Sequence, residues 1–241
     1  MKTTEYIENK INRLPKGYVF TYLDFATDVN KKEAVIKALN RMVVAGKINK
    51  LSKGKYYKQE NTVFGNLLPD QSQIIKKFLE SDGKITGYLT GYSIYNQLGL
   101  TTQISNIIQI GKNETRPALK MGKYKIQFIK QKNVITRENV PLFQILDAVR
   151  YIKKMPDSTI ESSCRRLMAI IGDLQESEKK TMVRLALKYS PFTRALLGAL
   201  LESSGNELMT GNLKKSLNPI TSYKISGIDK ILSSSGNWNI K

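Results

Sequence analysis

Histidine is missing from all 241 residues, and cysteine occurs once. Without an imidazole the chain lacks the ordinary general base of neutral pH and the commonest metal ligand. It also lacks any serine–histidine or cysteine–histidine pairing. The single thiol, Cys164, cannot close an internal disulfide and cannot build a thiolate zinc site. Its setting, Ser162-Ser163-Cys164-Arg165-Arg166, is one that could depress a thiol pKa. The apolar Ile160, Leu167 and Met168 around it instead mark a plain helix position. No apolar run approaches the ~20 residues of a membrane-spanning helix. The N-terminus opens on a polar, charged stretch without the apolar region of a signal peptide. A cytoplasmic, reduced protein with no membrane partner is expected. Carboxylate pairs suited to acid–base work are also wanting: Glu176 and Glu178 point to different sides of a helix, and Asp147 and Asp157 sit alone. Neither enzyme activity, a cofactor nor a metal site is expected.

Negative charge is scarce as well. Against 39 Lys and Arg stand 20 Asp and Glu, a net charge of +19. Such a balance speaks about partners rather than fold, and a polyanion is the natural one. The excess is spread along the chain: residues 1–60 carry 13 basic and 6 acidic groups, 61–140 carry 11 and 5, and 141–241 carry 15 and 9. No basic tail accounts for it. An AT-rich genome, which inflates Lys, Asn and Ile, is the alternative source of the excess.

What is present is most orderly at the N-terminus. Tyr6, Ile7, Ile11 and Leu14 fall on one face of a helix from Thr4 to Leu14. Pro15-Lys16-Gly17 stops it, and Tyr18-Val19-Phe20 suits a short strand. Thr21 opens a second helix with Asp24 as its capping-box partner. Asp28-Val29-Asn30 makes a turn, and Asn30 caps a third helix striped by Ala34, Val35, Ala38, Leu39 and Met42. Gly46 fits the left-handed position beyond that helix. Lys47 to Leu51, a Ser52-Lys53-Gly54-Lys55 turn and Tyr56-Tyr57-Lys58 complete a β-hairpin. This is the pattern of a winged helix-turn-helix over residues 1–62. The outer face of its third helix offers Lys31, Lys32, Lys37, Asn40 and Arg41. Arginine reads guanine and asparagine reads adenine in the major groove. The wing lysines Lys50, Lys53 and Lys55 suit flanking phosphates, which set register. Double-stranded DNA is the expected partner; a small three-helix module used for protein contacts is the alternative.

Beyond Leu68-Pro69-Asp70, residues 67–140 read as a mixed α/β region. A helix is expected from Gln71 to Glu80, a loop from Gly83 to Gly91, a helix from about Tyr92 to Leu98, and strands at Ile107–Ile110, Ala118–Met121 and Tyr124–Ile129. Gly122-Lys123 is the turn between the last two. The glycines of 83–99 match no phosphate-cradling loop. Residues 141–241 turn helical: one helix from Pro141, a second capped by Ser158 with Glu161, a third from Glu176 to Tyr189 and a fourth from Pro191 to Leu201. Trp238 is expected to pack into this region. Basic pairs Lys153-Lys154, Arg165-Arg166, Lys179-Lys180 and Lys214-Lys215 read as solvated faces that together could make a second polyanion surface. The fold class is α+β.

The order of a winged helix ending in Lys53-Gly54-Lys55-Tyr56-Tyr57, then Gly91-Tyr92-Ser93-Ile94-Tyr95-Asn96-Gln97-Leu98-Gly99-Leu100-Thr101-Thr102-Gln103, a hairpin and a helical tail, resembles the AbiEi-type antitoxins of bacterial abortive-infection systems and their relatives of unassigned function. The resemblance covers roughly residues 1–145. It extends to Leu217-Asn218-Pro219 through Tyr223 and to Trp238-Asn239-Ile240. It implies a transcriptional autorepressor and phage-defence antitoxin of a type IV toxin–antitoxin system. The first domain would bind promoter DNA, and residues 67–241 would counter a nucleotidyltransferase toxin. It places Lys31, Lys32, Lys37, Asn40, Arg41, Lys53 and Lys55 at DNA-facing positions. A winged-helix regulator without a toxin is the alternative; a nucleic-acid-processing enzyme is a more distant one.

Overall fold

The computed structural model describes residues 3–25, 32–62, 65–67, 69, 71–81 and 83–241. The chain divides into two compact units, residues 1–77 with 119–125, and residues 78–118 with 126–241.

In the first unit, α1 (Thr3–Asn12) is followed by β1 (Val19–Thr21) and one 3-10 turn over Tyr22–Asp24. The Thr21 backbone N–H donates to Asp24 Oδ2 at 2.7 Å, so the expected capping pair forms. Whether a longer helix follows, and how Asn30 caps the next one, falls outside the described residues, as do Asp28 and Val29. Next come α2 (Lys32–Val44), β2 (Asn49–Ser52), β3 (Lys55–Tyr57), the β4 (Glu60–Thr62) and β5 (Gly65–Leu67) hairpin, and most of α3 (Gln71–Leu79). Val35, Ala38, Leu39 and Met42 recur at helical spacing and are buried. Ala34, expected in that stripe, is exposed. The chain leaves α2 through Gly46 at φ 69°, where a side chain would be strained. Strands β1, β3 and β2 form one antiparallel sheet in that order, with Tyr57 opposite both Val19 and Asn49. Helices and sheet share a core of Ile7, Ile11, Phe20, Leu39, Ile48 and Tyr56. Phe20 meets Phe25 edge-on at 5.3 Å and stacks on Tyr56 at 6.3 Å.

The second unit holds β6 (Glu80–Ser81), β7 (Lys84–Ile85) and β8 (Gly87–Thr90); the last two stand where a loop was expected, and β6 takes Glu80, expected to end the helix. Glycine at position 87 is required by close approach: a Cβ there would lie 2.6 Å from the Phe78 carbonyl oxygen. Then follow α4 (Tyr92–Gln97) and β9 (Ile107–Lys112), which pairs antiparallel with β8, Gly87 lying opposite Lys112. Strand β10 (Leu119–Met121) and the first residues of β11 (Tyr124–Lys130) belong to the first unit and flank the Gly122-Lys123 turn, as expected; β11 runs on into the second. The rest is helical: α5 (Val140–Arg150), α6 (Ile160–Asp173), α7 (Glu176–Ala186), α8 (Pro191–Ser203) and α9 (Gly211–Lys215). The α6 cap is Thr159 with Ser162, in place of Ser158 with Glu161. Ala195 to Leu201 are buried on every side, so α8 is the axis about which the other helices pack. Trp238 fills the space over Gly198, where a Cβ would sit 2.2 Å from the indole ring. Helices and sheets are both substantial and largely segregated in sequence, which is an α+β architecture. Among the described residues no helix is long and apolar enough to cross a membrane.

Candidate nucleic-acid interface

The inward turn of Val35, Ala38, Leu39 and Met42 leaves the opposite side of α2 to polar residues. Lys37, Asn40 and Arg41 are three and four residues apart, so they share one exposed face. Lys32 is exposed near the start of the same helix, its ammonium 5.1 Å from the centre of the Tyr22 ring. Asn40 Oδ1 accepts a 3.0 Å hydrogen bond from the Tyr56 hydroxyl, which leaves its amide protons to donate elsewhere. Arg41 donates one Nη2–H to Thr4 Oγ1 at 3.4 Å, a long contact that spares most of the guanidinium. The β2–β3 hairpin carries Lys50 and Lys53, both exposed. Lys31 lies outside the described residues.

Other cations of this unit are committed to the fold. Lys47 pairs with Glu8, and Lys10 donates to the Asp24 carbonyl at 2.7 Å. Lys58 donates to the Asn12 and Leu14 carbonyls at 2.8 and 2.7 Å, closing the end of α1. Among the described residues Lys37, Lys50 and Lys53 form no ion pair.

Lys55, expected among the phosphate contacts, occupies a different place. It heads the central strand β3, is 8% exposed, and reaches Met121 Sδ at 3.5 Å. Burial first, and the nearby Lys77 charge second, push its ammonium down to about 7. In the strand register Lys55 lies opposite Thr21 and Ser52, so its side chain follows the sheet pleat and not the hairpin tip. The outer-face cations placed by the structure are thus Lys32, Lys37, Arg41, Lys50 and Lys53.

The second unit holds a polar site that the sequence pattern did not reveal. Asp147, read as isolated, stands on α5 amid Leu142, Phe143, Ile145, Leu146, Ala148 and Val149, and is 1% exposed. Its Oδ2 accepts from the Tyr88 and Thr90 hydroxyls, each at 2.9 Å, and its Oδ1 from the Tyr189 hydroxyl at 3.2 Å. Gln131 Nε2 donates to both tyrosine oxygens, at 3.0 Å to Tyr88 and 2.8 Å to Tyr189. Asn133 in turn donates to Gln131 Oε1 and to the Leu185 carbonyl, both at 3.0 Å. Burial pushes the carboxyl up to about 6, against the hydrogen bonds from Tyr88 and Thr90 and the positive charge of Arg150. The same burial, with the Asp147 charge second, raises the Tyr88 and Tyr189 phenols, so both remain donors. A lone aspartate inside an apolar helix run was the signal available in the sequence, since such a group persists only when it is satisfied. Cys164 is buried, and that burial pushes its thiol up to about 11; the flanking arginines do not activate it.

Over residues 6–176 the chain matches the family of unknown function DUF6088, and with that extent it belongs to the family. It is similar in fold to the crystal structure of the RV2827C protein from Mycobacterium tuberculosis. The TM-score is 0.58 at 13% sequence identity, over 92% of this chain and 84% of that one. At that identity the likeness concerns fold alone. No curated protein matches the chain.

Proposed function

We propose that this DUF6088 member is a DNA-binding transcriptional repressor whose first unit is a winged helix, with α2 as recognition helix and β2–β3 as wing. The observation that carries the reading is the common exposure of Lys37, Asn40 and Arg41 on one face of α2 together with Lys50 and Lys53 on the hairpin. Lys10 and Lys58 are spent on carbonyls, Lys47 on the Glu8 carboxylate, and Lys55 is buried beside Met121. Arg41 is the direct reader, through a guanidinium that can hold guanine bidentately. Asn40 contributes its amide donors, with one lone pair of its oxygen taken by Tyr56. The hairpin lysines hold the phosphates. The resemblance to AbiEi-type antitoxins extends the proposal: the same chain counters a nucleotidyltransferase toxin, with the remainder of the chain doing that work.

A salt titration tests the DNA reading. Fluorescence anisotropy with a duplex from the chain's own promoter should show affinity falling about 10³–10⁵-fold between 50 and 200 mM salt, as six to ten phosphate contacts require. A flat response refutes an electrostatic duplex interface. Co-expression with a nucleotidyltransferase encoded beside this chain tests the antitoxin half. Rescue of growth supports it, and its failure leaves a regulator without a toxin.

A further inference from the structure

The second unit contains a concave site of about 650 Å³ beside the Asp147 network. Its volume lies in the range of small-ligand pockets. Five cations line it: Lys130 and Lys132 from the end of β11 and beyond, Arg150 from the end of α5, Lys188 before α8, and Arg194 on its first turn. No carboxylate among the described residues lines it. Among the described residues none of the five forms an ion pair. Asp147 feels the Arg150 charge and offsets one of the five; the others still raise the potential felt by one another, which is unfavourable without a further counter-charge.

Three further observations point to an anion. Arg194 donates Nη1–H to the Ser216 carbonyl at 2.9 Å, which fixes the guanidinium, yet its Nε is shut off from solvent and has no hydrogen-bond partner. A nitrogen closed to solvent is closed to a ligand in the cleft as well, so Arg194 would meet an anion through its Nη groups. Ser190 and Pro191, which open the 13-residue α8, also line the site, so the positive end of that helix adds to the field. Finally, Gln131 and Tyr189 form part of the wall, and both are tied into the hydrogen-bond network of Asp147. The wall is therefore preorganised before any ligand arrives.

We propose that this cleft binds a polyphosphate chain, either that of a nucleoside triphosphate or inorganic polyphosphate. Arg194 and Arg150 clamp the phosphoryl oxygens, and the three lysines neutralise the remaining charge. Guanidinium groups suit such oxygens by their planar, paired donors, and ammonium groups act as point charges beside them. Several cations on one small site match the several negative charges of a triphosphate better than the single charge of a carboxylate. The Gln131 and Tyr189 side chains position the wall and take no part in neutralisation.

The test is isothermal titration calorimetry on the intact chain, in metal-free buffer, with tripolyphosphate, ATP, GTP and AMP as separate probes up to about 1 mM, a limit that captures weak binding. Saturable one-to-one binding of tripolyphosphate and ATP, with AMP much weaker, is expected. ATP or GTP binding without tripolyphosphate would assign the site to nucleotides, and tripolyphosphate binding equal to both would assign it to the chain of phosphates alone. Lys132→Ala and Lys188→Ala change exposed side chains, and each should weaken binding about tenfold, as the loss of one charge-assisted hydrogen bond implies. Circular dichroism of the two variants verifies that they fold. Duplex binding measured on the same variants should be unchanged, and Arg41→Ala should leave tripolyphosphate binding intact. Failure of all probes to bind overturns the proposal. So does binding that Lys132→Ala and Lys188→Ala leave untouched, or binding that Arg41→Ala abolishes. None of these outcomes bears on whether the first unit binds DNA.

Discussion

Two side chains titrate where few others do. The chain has no histidine, so the range from pH 5 to 8 is nearly empty of ordinary side-chain titrations. Asp147 and Lys55 both move into it, from opposite directions. Asp147 is pushed up to about 6 in the folded chain, so the native state holds its proton more tightly than the unfolded chain does. Stability is then greatest below the ordinary carboxyl value and falls as pH rises through about 6. Asp147→Asn removes the charge that burial penalises. Its stability relative to the parent, followed by urea denaturation between pH 4 and 7, should rise with pH. A parallel pair of curves would mean that folding leaves the affinity of this carboxyl for its proton unchanged. Lys55 runs the other way. The native state binds its proton less tightly, so stability is lowest below about 7 and climbs toward the ordinary lysine value of 10.5. Lys55→Met, which keeps the buried stem and drops the ammonium, should flatten that climb in melting temperatures taken from pH 7 to 10. The same substitution should leave the salt dependence of duplex binding unaltered, because the ammonium lies beside Met121, away from the open face of α2.

At the scale of elements, helix and hairpin should contribute differently to recognition. Arg41→Ala on α2 is expected to cost about 1–3 kcal/mol on the preferred duplex and to relax its sequence preference. Lys53→Ala, at the hairpin turn, should weaken all duplexes alike and reduce the salt slope by about one. Competition binding with a panel of single-base variants separates the two; a change of preference in Lys53→Ala alone would make the hairpin the reader. Which elements were legible in the sequence follows from the range of their signals. The α2 stripe, the Gly46 exit and the hairpin are set by neighbours within about ten residues, and they appear where the pattern places them apart from the exposed Ala34 and shifts of one or two residues in the strand ends. Strand β8 escaped because it is four residues long and opens on a glycine, and the reason for Gly87 is the backbone of Phe78, which sequence spacing does not display. Asp147 and Lys55 escaped for a related reason. Whether a charged residue faces water depends on partners such as Thr90, Tyr189 or Met121, which lie 42 or more positions away. The cationic cleft likewise draws its five charges from three stretches of the chain, Lys130 with Lys132, Arg150, and Lys188 with Arg194.

For the whole molecule, the net charge of +19 poses the question of how many anionic partners one chain serves. Residues 1–60 carry a net +7 by their 13 basic and 6 acidic groups, so most of the excess lies elsewhere. The two compact units give that excess separate homes: the open face of α2 and its hairpin in one, the cleft lined by Lys130, Lys132, Arg150, Lys188 and Arg194 in the other. If the first serves the promoter and the second unit serves toxin neutralisation, the functions should come apart in the intact chain without truncation. Lys37→Glu, Arg41→Glu and Lys53→Glu combined reverse three exposed charges and touch no buried apolar residue. Exposed substitutions of this kind usually change stability by about 0.5 kcal/mol or less each. The triple variant is therefore expected to melt near the parent temperature and to lose promoter binding, because each reversed charge adds repulsion from phosphate to the loss of attraction. In a co-expression growth assay it should protect against the cognate nucleotidyltransferase as well as the parent does. Loss of protection in a folded triple variant would place the antitoxin work on the DNA-binding face itself. Retained repression of a promoter reporter would remove α2 from the interface.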